Sequence, residues 1–200
     1  MDVSFSILGL IITSPFFAVI AVIIKCTDRG PVFYRQNRLT QDGRVFSICK
    51  FRTMVQDAEK DTGARLASDN DDRVLPVGKF LRRTRLDELP QLWNILKGEM
   101  SVVGPRPERP ELAEKIEEEI PEFHYRLKVK AGLTGFAQIY GKYNTSSYDK
   151  LKLDLSYIRK YSVFLDLKLI ILTPKIMFMK ESTEGVKEDD RSIGDTDSLV

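Results

Sequence analysis

Residues 3–24 read VSFSILGLIITSPFFAVIAVII, an uncharged run between Asp2 and Lys25. Where this run sits decides the fold. A stretch of roughly 20 apolar residues is what crosses the hydrocarbon core of a bilayer. No basic region precedes it and no small-residue cleavage site follows it, so it makes a poor secretory signal. Ser14-Pro15 stands at its midpoint. Proline removes a helix hydrogen bond and pushes the residue before it away from helical geometry. The Ser14 hydroxyl is placed to satisfy the carbonyl freed in this way. Three placements follow. One is a kinked transmembrane helix. Another is a re-entrant hairpin that enters one leaflet, breaks at Ser14-Pro15 and leaves by the same face. The third is a buried core helix, which the absence of any charge in the run argues against. Lys25 and Arg29 mark the C-terminal end as cytoplasmic by the positive-inside tendency.

The chain of 200 residues is long enough for one domain with appendages. Its 42% hydrophobic and 30% charged residues are those of a folded protein. Lys and Arg number 31 and Asp and Glu 29, so the net charge is 31 − 29 = +2. That balance argues for no class of partner, and nucleic acid is not expected. Cys26 and Cys49 lack metal-ligand spacing and read as free thiols. A single histidine, His124, leaves almost no material for a zinc site or a Ser-His-Asp triad.

After the apolar run, PVFYRQNRLTQDGRVFSICKFRT (31–53) places two β-prone segments around Asp42-Gly43. That is a hairpin signal, with strands near 32–36 and 44–50. Residues 55–72 are polar and read as a surface loop or short helix. Gly78 to Arg85 reads as a basic helix. Glu111 to Glu119 reads as an acidic helix with a solvated face. Tyr148 to Lys160 reads as a helix with Leu151, Leu155 and Ile158 on one side. From Ser162 to Lys180, Asp166, Lys168, Pro174 and Lys175 interrupt an apolar segment too often for it to span a membrane. It suits either an interfacial amphipathic helix or a buried C-terminal core helix. The last twenty residues are polar and acidic and read as disordered. The fold class expected is α+β, mostly helical with a small hairpin or sheet. Its parts are an apolar membrane segment (1–28), a main domain whose last helix is interfacial or buried (29–180) and an acidic tail (181–200).

The chemistry concentrates in RTRLDELPQLWNILKGEMSVVGPRPE, Arg83 to Glu108. Leu89, Leu92, Trp93 and Leu96 mark one face of a helix that Gly98 ends. Asp87 fits its N-cap, with Glu88 and Pro90 in the first turn. A capped helix is therefore the plain reading of the acid pair. Three features favour chemistry instead. Arg82, Arg83 and Arg85 precede the pair, Gly104-Pro105-Arg106-Pro107 holds an arginine in a rigid turn, and a membrane segment brings lipid substrates within reach. A carboxylate among arginines is expected to stay ionised. It can then attack phosphorus while its neighbour helps to hold Mg²⁺ against phosphate oxygens.

Several ordered blocks resemble the bacterial sugar transferase family of monotopic polyprenyl-phosphate phosphoglycosyl transferases, from Asp2 to about Met179. They are the apolar run with Ser14-Pro15, Lys50-Phe51-Arg52-Thr53-Met54, Leu86-Asp87-Glu88-Leu89-Pro90-Gln91, Gly104-Pro105-Arg106-Pro107, and Gly132-Leu133-Thr134-Gly135 with Ala137-Gln138. The resemblance implies transfer of a sugar-1-phosphate from a UDP-sugar to a polyprenyl phosphate (undecaprenyl phosphate in bacteria), with release of UMP. It implies Asp87 as a nucleophile forming a covalent phosphosugar, Glu88 as its partner, and Mg²⁺ at Asp87 and Glu88. Lys50, Arg82, Arg106 and Gln138 would bind substrate or phosphate. It favours the re-entrant placement broken at Ser14-Pro15, at the cytoplasmic face of the bacterial inner membrane, and leaves room for a homo-oligomer. Family members often carry Arg-Pro where this chain has Lys130-Ala131. Longer members carry transmembrane helices and a further domain upstream, so Met1 reads either as a native start or as a truncation. Gly141 to Thr145 resembles members that prime exopolysaccharide or capsule chains. Two rival functions stand beside this one: a lipid-acceptor glycosyltransferase, which would release UDP, and a membrane-anchored scaffold.

Overall fold

The computed structural model describes residues 1–56, 58, 71–141 and 145–177. Most of the loop expected over 55–72, the centre of the Gly141–Thr145 stretch and the acidic tail lie outside them. The described chain is mostly helical, with two two-stranded sheets.

The apolar run forms one helix, α1 (Asp2–Asp28), with Pro15 inside it. Pro15 has no N–H to offer the Ile11 carbonyl, and the Ser14 hydroxyl donates to that carbonyl at 2.8 Å. The Thr13 hydroxyl donates to the Gly9 carbonyl at 2.7 Å. With these bonds in place the backbone stays helical through Ser14-Pro15, so the expected break into two helices is not seen. Along α1 only Ser6, Ile20 and Ile24 are buried. Val3, Phe5, Ile7, Leu8, Ile11, Ile12, Phe16, Val19, Val22 and Ile23 are all exposed. An apolar surface of that extent calls for lipid or protein cover.

Both ends of α1 are fastened to the rest of the chain. Asp2 Oδ1 accepts from the Ser101 hydroxyl at 3.1 Å and from the Val102 N–H at 3.2 Å. Asp28 pairs with the buried Arg52 guanidinium. Between them the Leu92 side chain lies over Gly9, and Phe17 meets Phe51 edge to face at 5.0 Å.

The predicted hairpin is present. β1 (Phe33–Leu39) pairs antiparallel with β2 (Val45–Phe51), from Phe33 opposite Phe51 to Leu39 opposite Val45. The turn needs positive φ at two positions, Asp42 (59°) and Gly43 (72°), which Asp-Gly tolerates. α2 (Pro76–Arg83) follows, with proline in its first turn. α3 (Gln91–Leu96) is shorter than expected, and Gly98 ends it at φ 77°. Leu92 and Ile95 are buried, but Trp93 is 51% exposed, so the predicted apolar face is only partly right.

A second sheet was not foreseen. β3 (Ser101–Val103) pairs in parallel with β4 (Gly132–Thr134). Around it lie α4 (Pro110–Glu119), α5 (Phe136–Tyr140), α6 (Ser147–Lys160) and α7 (Val163–Met177). The acidic helix α4 buries only Ala113, as a solvated helix should. The Ser146 side chain caps α6 by accepting from the Asp149 N–H. The main core joins Phe46 and Ile48 of β2, Ile95, Val102, Tyr157 of α6 and Leu169 of α7. In α7 Leu169 and Asp166 are buried, while Phe164 and Ile171 face outward.

Candidate active site

The acid pair is held up by apolar packing beneath it. Arg85, at φ 53°, turns the chain out of α2 into a 3-10 turn, Leu86–Glu88. Leu86 and Leu89 are one 3-10 turn apart and share a face. That face packs on Ile20 and Ile24 of α1, Phe51 of β2 and Leu81 of α2. Asp87 and Glu88 are thereby carried beside the membrane-type helix, and both are buried.

Asp87 is not an N-cap. α3 begins at Gln91, with Pro90 in the cap position and no side-chain cap bond. Among the described residues nothing donates a hydrogen bond to the Asp87 carboxylate. The plain reading of the pair therefore loses its support. Glu88 differs: its Oε1 accepts from Lys50 Nζ at 2.9 Å and from Arg106 Nη2 at 3.0 Å.

The two carboxyls are driven apart electrostatically. Burial raises the Asp87 pKa to about 6, the Glu88 charge adds to the rise, and Lys50, Arg82 and Arg106 oppose it. Burial also acts to raise Glu88. There Lys50, Arg106 and Arg85, with the Lys50 hydrogen bond, outweigh it and hold the carboxyl well below its usual range. Glu88 is thus held as the carboxylate by its cations, while Asp87 is the more basic of the two, because burial acts against the ionisation that its arginines favour.

Of the phosphate contacts expected from the sequence, Lys50 and Arg106 meet at Glu88. Arg82 donates from Nε to the Thr53 hydroxyl at 2.8 Å, and its charge acts on Asp87. Gln138 does not join them. Its amide nitrogen lies 3.4 Å from the Leu133 carbonyl at the β4–α5 junction, where its oxygen is buried beside Gly135 without a donor.

The Arg106 turn is clamped from behind. Arg126 donates to the Arg106 carbonyl at 2.9 Å, and Arg38 to the Pro107 carbonyl at 3.1 Å. Glu108 lies between the two arginines, 3.7 Å from Arg126 and 3.9 Å from Arg38. Asp154 of α6 completes the row, 2.8 Å from Arg126, and both are buried. Removing one partner of such a buried pair costs on the order of 3–5 kcal/mol. Sequence reasoning missed this network. One signal was available: Asp154 falls on the Leu151–Leu155–Ile158 stripe of α6, where an acid needs a buried partner.

Among the described residues no three metal-ligating side chains gather. Two adjacent carboxylates still fit Mg²⁺, which keeps several waters and takes only one or two protein carboxylates when substrate phosphates supply the rest. Asp87, without a donor among the described residues, is the better placed of the two to turn to such an ion.

Comparison with known proteins gives this site its context. The family model described as Bacterial sugar transferase matches residues 1–180. The chain is 46% identical over 186 residues to UDP-glucose:undecaprenyl-phosphate glucose-1-phosphate transferase of Klebsiella pneumoniae, covering 90% of this chain and 40% of that protein. It is 40% identical over 176 residues to UDP-N-acetylgalactosamine-undecaprenyl-phosphate N-acetylgalactosaminephosphotransferase of Aeromonas hydrophila, covering 86% and 41%. Exopolysaccharide production protein ExoY of Rhizobium meliloti is 36% identical over 190 residues, covering 86% and 81%. The chain thus spans about two fifths of the length of the first two relatives. With the family model matched from residue 1 to residue 180, this chain belongs to the bacterial sugar transferase family.

Proposed function

We propose that the protein transfers a sugar-1-phosphate from a UDP-sugar to a membrane polyprenyl phosphate, undecaprenyl phosphate in bacteria, and releases UMP. The relatives' names, which pair a UDP-sugar with undecaprenyl phosphate, support the substrate classes. The observation that carries the mechanism is the asymmetry of the acid pair: Glu88 is bound by two cations, while Asp87 is buried, ionisable and without a hydrogen-bond donor among the described residues.

In the first step an Asp87 carboxylate oxygen attacks the β-phosphorus of the UDP-sugar. The bond from that phosphorus to the bridging oxygen breaks, and UMP leaves with the electron pair. In the second, a polyprenyl phosphate oxygen attacks the same phosphorus and the Asp87 carboxylate departs, giving the polyprenyl diphosphate sugar. Glu88 holds Lys50 and Arg106 where the phosphate charge sits, and the cations offset repulsion between an anionic nucleophile and an anionic diphosphate. Mg²⁺ at Asp87 and Glu88 would supply further charge stabilisation at the phosphate oxygens.

Without lipid acceptor, protein mixed with Mg²⁺ and its UDP-sugar is expected to gain the mass of one sugar phosphate, labile to hydroxylamine. Asp87 must be ionised to attack, so the rate of adduct formation falls as pH drops through about 6. Bound Mg²⁺ moves that inflection lower. No adduct on the folded protein, or one that survives in Asp87→Asn, contradicts the covalent step.

The same reading places the chain as a monotopic protein on the cytoplasmic face of the inner membrane, as a homo-oligomer or a monomer. The fastening of Asp2 to β3 and of Asp28 to Arg52 supports both ends of α1 lying on one face, because both anchors belong to one domain. A bend at Ser14-Pro15 suffices for a re-entrant path and needs no break into two helices. Replacing Ser14 and Pro15 together by alanine is expected to favour a spanning helix. The reagent accessibility of a Ser4→Cys label in intact membranes then switches sides. Unchanged accessibility rules out Ser14-Pro15 as the topology determinant.

A further inference from the structure

Beside the acid pair is a small cavity lined by Arg38, Ile48, Lys50, Gln91, Arg106 and Pro107. Three of the six are cations and none is a carboxylate. Lys50 and Arg106 already share Glu88. Arg38 and Gln91 have no part in the mechanism so far. Arg38 spends one nitrogen on the Pro107 carbonyl and one on the Gln36 side chain, at 2.7 Å. Its Nε is buried with no acceptor among the described residues. The Gln91 side chain is buried at the start of α3 and makes no hydrogen bond among the described residues. A desolvated guanidinium donor left unpaired costs free energy that an incoming acceptor recovers, and the Gln91 amide on the same cavity wall offers a further donor. A polar cavity of this charge wants an anion with several oxygens.

We propose that Arg38 and Gln91 bind the phosphate that departs with the uridine nucleotide, completing a diphosphate pocket whose other half is Lys50, Arg106 and Asp87. This rests on the phosphosugar-transfer reading above. Polyprenyl phosphate offers the same phosphate chemistry, but no residue of α1 or α2 lines the cavity. The cavity opens instead between β1, β2, α3 and the Arg106 turn. The apolar helix lies against Leu86 and Leu89, on the face of the acid turn that faces α1, and a lipid acceptor arrives from there. Arg38 also braces the Arg106 turn, so the two parts of its role are separated by testing Gln91 alongside it.

The test measures UMP binding by calorimetry, with Mg²⁺, on the full chain in lipid nanodiscs, and KM for each substrate by turnover. Arg38→Ala is expected to weaken UMP about tenfold or more, and Gln91→Ala a few-fold, because charged hydrogen bonds contribute more than neutral ones. KM for the UDP-sugar rises in step while KM for polyprenyl phosphate stays put. Arg38→Lys, which keeps charge but not the fork, recovers part of the loss. UMP binding unchanged in both Gln91→Ala and Arg38→Lys overturns the proposal, even if Arg38→Ala fails to fold. A rise in KM for polyprenyl phosphate alone assigns the cavity to the lipid and also overturns it. Absence of UMP binding to the parent protein is a distinct result, and it defeats the phosphosugar-transfer reading itself.

Discussion

Asp87→Ala is expected to abolish lipid-dependent nucleotide release, by on the order of 10³-fold or more, without loss of folding or membrane association. Losing a nucleophile removes the covalent route entirely, and in comparable units the effect is of that size or larger. The usual objection to such a variant is that it unfolds. Here the linkage runs the other way. The folded-state pKa of about 6 lies above the ordinary carboxyl value of 3.8, so the fold holds the proton more tightly than the unfolded chain does. Ionised Asp87 therefore weighs against folding above pH 6, and the contribution disappears below about pH 4, where both states are protonated. Asp87→Ala should be at least as stable as the parent at pH 7.5, with the advantage shrinking as pH falls. Thermal unfolding at pH 7.5 and 5 checks this, and turnover in the same preparations checks the nucleophile. Near-normal turnover in a folded variant would sink the nucleophile assignment and return the pair to a structural role.

Gly132→Ala is expected to destabilise the protein by about 3 kcal/mol, at the upper end of overpacking, and to take activity with it. A Cβ at Gly132 would stand 2.1 Å from the Gly104 nitrogen and 2.5 Å from its Cα. Both neighbours are backbone, so no side chain can swing aside. The close approach serves the site: Gly104 N–H donates to the Thr134 carbonyl at 2.9 Å, and Gly132 N–H to the Pro105 carbonyl at 2.8 Å. These bonds tie the Gly104-Pro105-Arg106-Pro107 turn to β4 and so set where Arg106 meets Glu88. Chemical denaturation of the solubilised protein measures the loss. A variant as stable as the parent would mean that β3 and β4 part readily, and that the Arg106 turn is held by Arg126 and Arg38 alone.

What the sequence revealed, and what it hid, follows from the range of the interactions. The apolar run and the Asp42-Gly43 hairpin are written in local pattern. So is α6, whose stripe and Ser146 cap fall within a few residues of each other. The acid pair was legible because Asp87 and Glu88 are adjacent and flanked by arginines. Their partners were not legible from spacing, since Lys50 is 38 residues and Arg106 18 residues from Glu88. The capping role given to Asp87 failed because Pro90 takes the cap position of a helix only 6 residues long. The same short helix explains Trp93: with under two turns, α3 buries Leu92 and Ile95 and turns Trp93 outward. Strands β3 and β4, of 3 residues each, carry no readable alternation, and their pairing rests on two glycines far apart in the chain.

The most direct test of phosphosugar transfer is the identity of the nucleotide product. The protein in nanodiscs, with Mg²⁺ and polyprenyl phosphate, is incubated with a panel of UDP-sugars, and UMP is resolved from UDP. Phosphosugar transfer predicts UMP, formed only when lipid is present at multiple turnover and equal in amount to the lipid-linked product. UDP as the product would contradict it, since cleavage would then fall between sugar and phosphate and Asp87 could carry no phosphosugar.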